Sequence, residues 1–378
     1  MRLTIPLTVD ASKPALAGLA ADLAFCHPAI RRIVGVDPSA IELEVECDSE
    51  DLRRQIAAVT ELSIRSYRFV REEAPLWRHD ALRRYAGREA LAEVIARHTI
   101  ALGPGQYALV GPAARLRMDL DERLRAIATA AGAEPWHLPS IEQTVDLIPA
   151  TGYLSSHAQY VTFGYRLPCH FEQLQRFSVA AKERRLERPD AAELEPTGFI
   201  LEPFVCHNVY RALRGAQVET GRTITALGTC YRHEGIRFEP LLRQWEFSMR
   251  EVVLVGTSAY VAEQRARVIQ LTQELAQDLD LDARLEIATD PFFVSEAASK
   301  RTYQAMNSTK LELKLGLDDR SSTAAGSFNL HGRQFTEPMR ITDGQGELLE
   351  TACIGWGLER WMAAVISRHG ADARNWPI

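Results

Sequence analysis

The sequence predicts an α+β fold, an antiparallel sheet flanked by helices and preceded by a small α+β module. Three observations predict it. Strand-like segments cluster between residues 218 and 256 and again between 283 and 341, with helical segments set apart from them. That grouping favours an antiparallel α+β arrangement over a doubly wound one. The first seventy residues follow their own order of strand, helix, strand, strand, helix, strand. Pro75, in EEAPLW, marks an exit from that region, so domains are expected at 1–74 and 75–378. A chain of 378 residues is long enough for two domains.

RLTIPLTV reads as a strand and KPALAGLAADLAF as an amphipathic helix. IRRIVGV and AIELEVEC are strand-like around the turn signal Asp37-Pro38-Ser39. SEDLRRQIAAV opens on a capping residue and has helical spacing, and ELSIRSYRFV alternates as a strand. The order suits a ferredoxin-like split βαβ module. Trp77 to about His98 reads as helical, with Pro104 and Gly105 as a break. GPAARLRMDLDERLRAIATAAGA is a long amphipathic helix, and WHLPSIE a strand punctuated by Pro139. HFEQLQRFSVAAKERRLER forms a polar helix. VETGRTITALGTCYR and WEFSMREVVLVG are two strands around a polar loop. After the helix TSAYVAEQRARVIQLTQELAQDLDL come strand-like ARLEIATD, KLELKLGL, SSTAAGSFNLH and RQFTEPMRI. ETACIGWGLERWMAAVISRHG is a short strand running into a helix.

Apolar residues make up 46% and charged residues 25%, as in an ordinary globular protein. The formal charge of −6 argues against broad, nonspecific nucleic-acid binding. No apolar run reaches the length of a membrane span, and MRLTIPLTVDASKP lacks the layout of a secretory signal, so the expected compartment is the cytoplasm. The six cysteines form no CxxC pair and are too sparse for a disulfide framework. Cys26 and Cys47 read as small core residues.

In FSMREVVLV, Phe247, Met249, Glu251, Val253 and Val255 share one face of a strand. A buried carboxylate among apolar neighbours needs a partner, a hydrogen bond or a metal. The residues alone leave open a strand-end Glu251 that reaches solvent or Arg250. Two further patterns carry chemistry. Arg232 and Glu234 stand before a polar loop, in YRHEG, and Arg243 and Phe247 follow it. Two guanidinium forks on either side of a loop can clamp a phosphate, and the Phe247 ring offers a face to a purine. In GWGLER, two glycines permit close backbone approach, and Arg360 lies at a helix start that favours anions. Scattered charges on a surface hairpin, and glycines that serve strand–helix packing, remain the alternatives.

Taken in order, these patterns resemble the catalytic domain of class II aminoacyl-tRNA synthetases over roughly the last two thirds of the chain. The long helix with Pro139 beyond it is similar to that family's first motif. Tyr231-Arg232-His233-Glu234, Arg243 and Phe247 resemble the second, and Gly355 to Arg360 the third. Cys206 in EPFVCHNVY, Glu251 in SMRE and Cys353 in ETACIGWG narrow the likeness. This set resembles the zinc site of atypical archaeal seryl-tRNA synthetases and of their truncated homologues, the amino acid:[carrier protein] ligases. TGYLSSH and DPFF resemble the ligases too.

The resemblance implies zinc on Cys206, Glu251 and Cys353, with an open position for the substrate's amine. It implies ATP as substrate, with Arg232, Glu234, Arg243, Phe247 and Arg360 around it. Arg232 and Arg360 are the expected catalytic pair. Glu312 in KLELKL resembles a strand acid that helps to hold Mg²⁺, although an outward Glu fits the same strand. Asn329 in GSFN, together with Glu251, is the expected contact to the amino acid. SSTAAGSFN lacks the acid that many class II enzymes place just before it, which leaves the number of magnesium ions open. The reaction implied is activation of glycine, alanine or serine to an adenylate, then transfer to a carrier protein's phosphopantetheine thiol. The nearly charge-balanced first domain favours that acceptor over tRNA. Departing from the family pattern, the ligases largely lack this N-terminal module. The basic residues of the helix from about Phe171 to Arg188 suit either an acidic carrier protein or a solvated face. A homodimer is implied, built on the first-motif helix. A catalytically silent binding or regulatory chain is the remaining alternative.

Overall fold

The computed structural model describes residues 1–7, 11–67, 74–82, 85–144, 153–183, 190–289 and 309–378. DPFF, the start of TGYLSSH and the end of the Phe171–Arg188 segment lie outside the described residues.

The N-terminal sheet contains β1 (Arg2–Pro6), β2 (Ile30–Val36) and β3 (Ala40–Val45). Its order is β1-β3-β2, with β3 antiparallel to both neighbours, which is the split βαβ arrangement. Helices Lys13–Asp22 and Glu50–Ser66 accompany it. Leu3, Leu19, Leu23, Leu43, Leu52 and Ile56 belong to one core. The second helix corrects the expected strand at ELSIRSYRFV. Ser49 caps it by accepting from the Leu52 amide at 3.1 Å, and Glu50 and Asp51 favour its positive end. Leu52, Ile56 and Ser63 then continue one helical face through the segment, and Asp22 of the other helix accepts a hydrogen bond from Ser63. Among the described residues the module therefore shows three strands.

The remaining strands are β4 (Trp77–His79), β5 (Thr99–Gly103), β6 (Gln106–Leu109), β7 (Glu134–Pro135), β8 (Ile141–Gln143) and β9 (Phe163–Arg166). They continue as β10 (Glu195–Leu201), β11 (Arg222–Tyr231), β12 (Glu246–Gly256), β13 (Ala283–Ile287), β14 (Lys310–Gly316), β15 (Ser322–Gly332) and β16 (Glu350–Gly357). Eight of them form one sheet, β4-β13-β14-β15-β16-β12-β11-β7, antiparallel throughout except at β7. Helices Pro112–Ala130, Ser258–Asp278 and Leu358–His369 cover one face with a single core that includes Trp356 and Trp361.

Three local expectations change. Trp77–His79 is an edge strand paired with β13, and the helix begins only at Gly87. RQFTEPMRI contains a short helix, Thr336–Met339, held where Thr336 Oγ1 donates to the Leu349 carbonyl at 2.6 Å. WHLPSIE is strand only from Ile141. Cys26 is buried as expected, but Cys47 is exposed. No helix among the described residues is long and apolar enough to cross a membrane.

Candidate active site

The opposite face of the large sheet floors a cleft of about 1190 Å³. Strand register brings its residues together. Across the sheet Glu312 pairs with Ser327, Ser327 with Gly355, and Gly355 with Glu251. One alternation further along, Lys310 pairs with Asn329, Asn329 with Cys353, and Cys353 with Val253. Directly paired residues share a face, so Glu312, Asn329, Cys353 and Glu251 all stand on this one. Gly355 keeps the floor open between them. A Cβ there would lie 2.9 Å from Met249 Sδ and 3.6 Å from Glu251 Cγ.

Cys206 reaches this face through another glycine. A Cβ on Gly228 would sit 2.6 Å from a Val205 methyl, so only a bare backbone lets Val205 pack so close to β11. Val205 N then donates to Glu251 Oε1 at 3.1 Å. The next residue, Cys206, begins helix Cys206–Ala212. Ligand atoms of Cys206, Glu251 and Cys353 all lie within 4.8 Å of one another, and all three residues are buried.

Their electrostatics follow from their burial and closeness. Burial, then Cys353, raises the Glu251 carboxyl to about 8, against the Val205 amide and the Cys206 thiol, which lower it. Glu251 Oε2 is buried and accepts no hydrogen bond by distance and angle. Cys206 is pushed well up by its hydrogen bond to Cys353 and by burial. The same hydrogen bond pushes Cys353 well down, helped by His331 and Asn329. Asn329 Nδ2 lies 3.5 Å from Cys353 Sγ, and His331 Nε2 3.7 Å. Two sulfurs and one carboxylate are a donor set that would suit a zinc ion.

The other end of the cleft is basic. Arg232 N donates to the Trp245 carbonyl and Arg232 Nε to the Pro203 carbonyl at 3.1 Å. Its guanidinium carbon stands 5.2 Å over the Phe247 ring, so one face of that ring is already covered by a cation. Arg243 Nε is 3.3 Å from Glu234 Oε2. Arg237 shares the wall, its pKa lowered to about 10 by burial and then by Arg243. Arg360, in the first turn of Leu358–His369, donates to the carbonyls of Leu242 and Ala324 at 2.9 and 2.8 Å. Burial lowers its pKa too. Glu312 is paired with Lys310 at 3.2 Å. All ten residues expected from the sequence line this one cleft.

Among curated proteins, amino acid–[acyl-carrier-protein] ligase 1 of Bradyrhizobium diazoefficiens is 32% identical over 263 residues, covering 68% of this chain and 78% of that protein. The chain belongs to the amino acid–[acyl-carrier-protein] ligase family. Ligase 2 of the same organism is 35% identical over 188 residues, 49% of this chain and 56% of that one. The type-2 serine–tRNA ligase of Methanocaldococcus jannaschii is 29% identical over 225 residues, 57% of this chain and 43% of the relative. In solved structures, M. kandleri SerRS in complex with A. aeolicus tRNASec matches at a TM-score of 0.72 and 19% identity, over 100% of this chain and 76% of that one. Its likeness shows the fold, that of a class II synthetase. No family model matches the ligase.

Sequence reasoning passed over three residues of the ligase's cleft. His331 stands two positions beyond Asn329 on β15, so alternation alone puts it on the same face. Arg237 sits inside the loop between Arg232 and Arg243, where no periodicity marks it. Glu359, inside GWGLER, accepts the Ser248 amide on both oxygens at 3.0 Å and ties the helix start to β12. His207, which also lines the cleft, has its Nδ1 3.3 Å from Glu142 Oε2 with both groups buried.

Proposed function

We propose that the ligase activates a small amino acid with ATP and passes it to the phosphopantetheine thiol of a carrier protein. The observation that carries this reading is the meeting of Cys206, Glu251 and Cys353 in the same cleft as Arg232, Arg243 and Arg360. The substrate carboxylate attacks the α-phosphorus of ATP, giving an aminoacyl-adenylate and pyrophosphate. Positioning and charge stabilisation suffice, with no protein nucleophile. Arg232 holds the α-phosphate and the carboxylate. Arg243 and Arg360 hold the outer phosphates. Glu234 faces the adenine, and Phe247 stacks on it. Glu312, beside Lys310, would take part in holding Mg²⁺, and Asn329 orients the amino acid. Cys206, Glu251 and Cys353 would hold zinc, which when bound would supply selection and orientation of a primary amine. Thiol attack on the adenylate then gives the thioester and AMP.

We also take 1–74 and 75–378 as the domains, and the homodimer as the assembly. Met118, 62% exposed on Pro112–Ala130, supports the latter. Phe171, Leu174 and Val179, exposed on helix Phe171–Lys182, support that helix as the carrier's landing place.

Amino-acid-dependent exchange of pyrophosphate into ATP, run across the amino acids, tests the first step. Exchange with glycine, alanine or serine is expected. Exchange with none removes the activating function and leaves a binding chain. Incubation with holo carrier protein and with tRNA then separates the acceptors, and charging of tRNA alone would overturn the carrier reading.

A further inference from the structure

The N-terminal module makes close contact with the nucleotide end of the cleft. Its first helix ends at Asp22, and a single 3₁₀ turn, Leu23–Phe25, follows. Leu23 belongs to the module's core, but Phe25 is half-buried and stands outside that core. Phe25 meets Tyr160 edge-on at 5.7 Å between ring centres and His233 at 6.1 Å. Next to this, two backbones touch. Gly235 has φ 65°, and a Cβ on it would lie 2.5 Å from the Ala24 carbonyl oxygen. Glycine is required there twice over, by its left-handed conformation and by the absence of space.

The loop so touched is the one that carries Arg232, Glu234, Arg237 and Arg243. His233 N donates to the Tyr160 carbonyl at 3.0 Å, and its ring packs on Trp245 at 5.1 Å. Trp245 O in turn accepts from Arg232 N at 2.9 Å. A chain of contacts thus runs from Phe25 to the backbone of Arg232. Ala21 of the module itself lines the cleft. Asp22, buried, adds a carboxylate near enough to favour the charged form of Arg237.

A loop held in its binding conformation before the ligand arrives does not have to be ordered by it, and affinity rises accordingly. We infer that the N-terminal module sets ATP affinity, with Phe25 and Gly235 as positioning residues that fix the Arg232–Arg243 loop. The inference rests on the reading of this cleft as a nucleotide site. It assigns the module a part in ATP binding that the sequence leaves blank.

The test uses the full chain. ATP binding with Mg²⁺ is measured by calorimetry without amino acid, and KM values for ATP and for the amino acid by pyrophosphate exchange. Phe25→Ala breaks the ring contacts from the module's side, and Gly235→Ala pushes the backbones apart from the loop's side. Each is expected to weaken ATP binding about three- to tenfold, the range for loss of an aromatic pair. The amino-acid KM should stay within about twofold, as for a remote substitution. Phe25→Tyr, which keeps the ring edge, should restore ATP affinity. Unchanged ATP binding in both damaging variants, or an amino-acid KM that rises in step with that for ATP, would overturn the inference. A wild-type chain that binds no ATP would remove the nucleotide reading and the inference together. ATP binding by the wild type with unchanged variants removes the inference alone.

Discussion

Arg250 and Glu251 are neighbours on β12, both buried and both ionisable, yet the chain treats them in opposite ways. Arg250 belongs to the face covered by helices. Asp121, on helix Pro112–Ala130, takes its fork at 2.6 and 2.9 Å, and Thr225 Oγ1 takes a third hydrogen bond at 3.2 Å. Two positions along that face, Ser248 Oγ accepts from Arg117. Glu251 belongs to the cleft face, where one oxygen accepts the Val205 amide and the Cys206 thiol stands beside the carboxylate. Among the described residues no cationic side chain is paired to that carboxylate as Asp121 is paired to Arg250. Burial without compensation is costly. A fold that completes one buried charge and leaves its neighbour incomplete points to an external partner for the second. The comparison separates charge that holds the sheet to its helices from charge kept for a ligand.

Substitutions on the two faces should fail in different ways. Glu251→Gln keeps the shape and the acceptor for Val205 N but removes the charge. Metal content by elemental analysis should fall towards zero, with the folding midpoint of the metal-free protein scarcely moved. Exchange activity should drop by more than the ~10–100-fold typical of losing a metal's outer-shell partner. Full metal content in that variant would break the comparison at its centre. Asp121→Ala leaves Arg250 buried without its carboxylate, which costs about 3–5 kcal/mol when a buried pair is broken. Chemical denaturation should show that loss, while metal per folded molecule stays at the wild-type value. Metal lost from Asp121→Ala at native conditions would show that the two faces are not independent.

How much of this was legible in the sequence follows from the range of each interaction. Alternation along FSMREVVLV is local, so the face that Glu251 shares with Phe247 and Met249 could be read directly. The antiparallel α+β arrangement could be read too, because clustered strands and separate helices leave few layer architectures. Convergence of Cys206 with β12 and β16 could not be derived from pattern, since it depends on Val205 packing against a glycine in another strand. Only resemblance suggested it. ELSIRS misled because a short alternating stretch also fits the tail of a capped helix, and the helix face from Leu52 to Ser63 prevailed. The module's contact at Gly235 left no trace, because any loop glycine looks the same until its neighbour is known.

Glu202 offers the finest test of the same contrast. It is 2% exposed, and its pKa is raised to about 10, by burial first and then by the charges of Glu142 and Glu251. Asn208 donates to one carboxyl oxygen, while the other, Oε1, is buried without a hydrogen-bond partner. The folded chain therefore holds a proton on Glu202 at neutral pH, where an unfolded glutamate with a pKa of about 4.3 has lost it. With more protons bound folded than unfolded, stability must fall as pH rises between those two values. The contribution is fully present below about pH 4.3 and has gone above the folded value of about 10. Its slope is at most about 1.4 kcal/mol per pH unit. Glu202→Gln resembles the protonated form at every pH. Denaturation midpoints measured from pH 6 to 9 should decline more gently in that variant than in the wild type, with the two curves closest at the acid end. Parallel curves would mean that Glu202 is ionised in the folded chain. Burial beside Glu251 would then be compensated by the protein after all, as it is for Arg250.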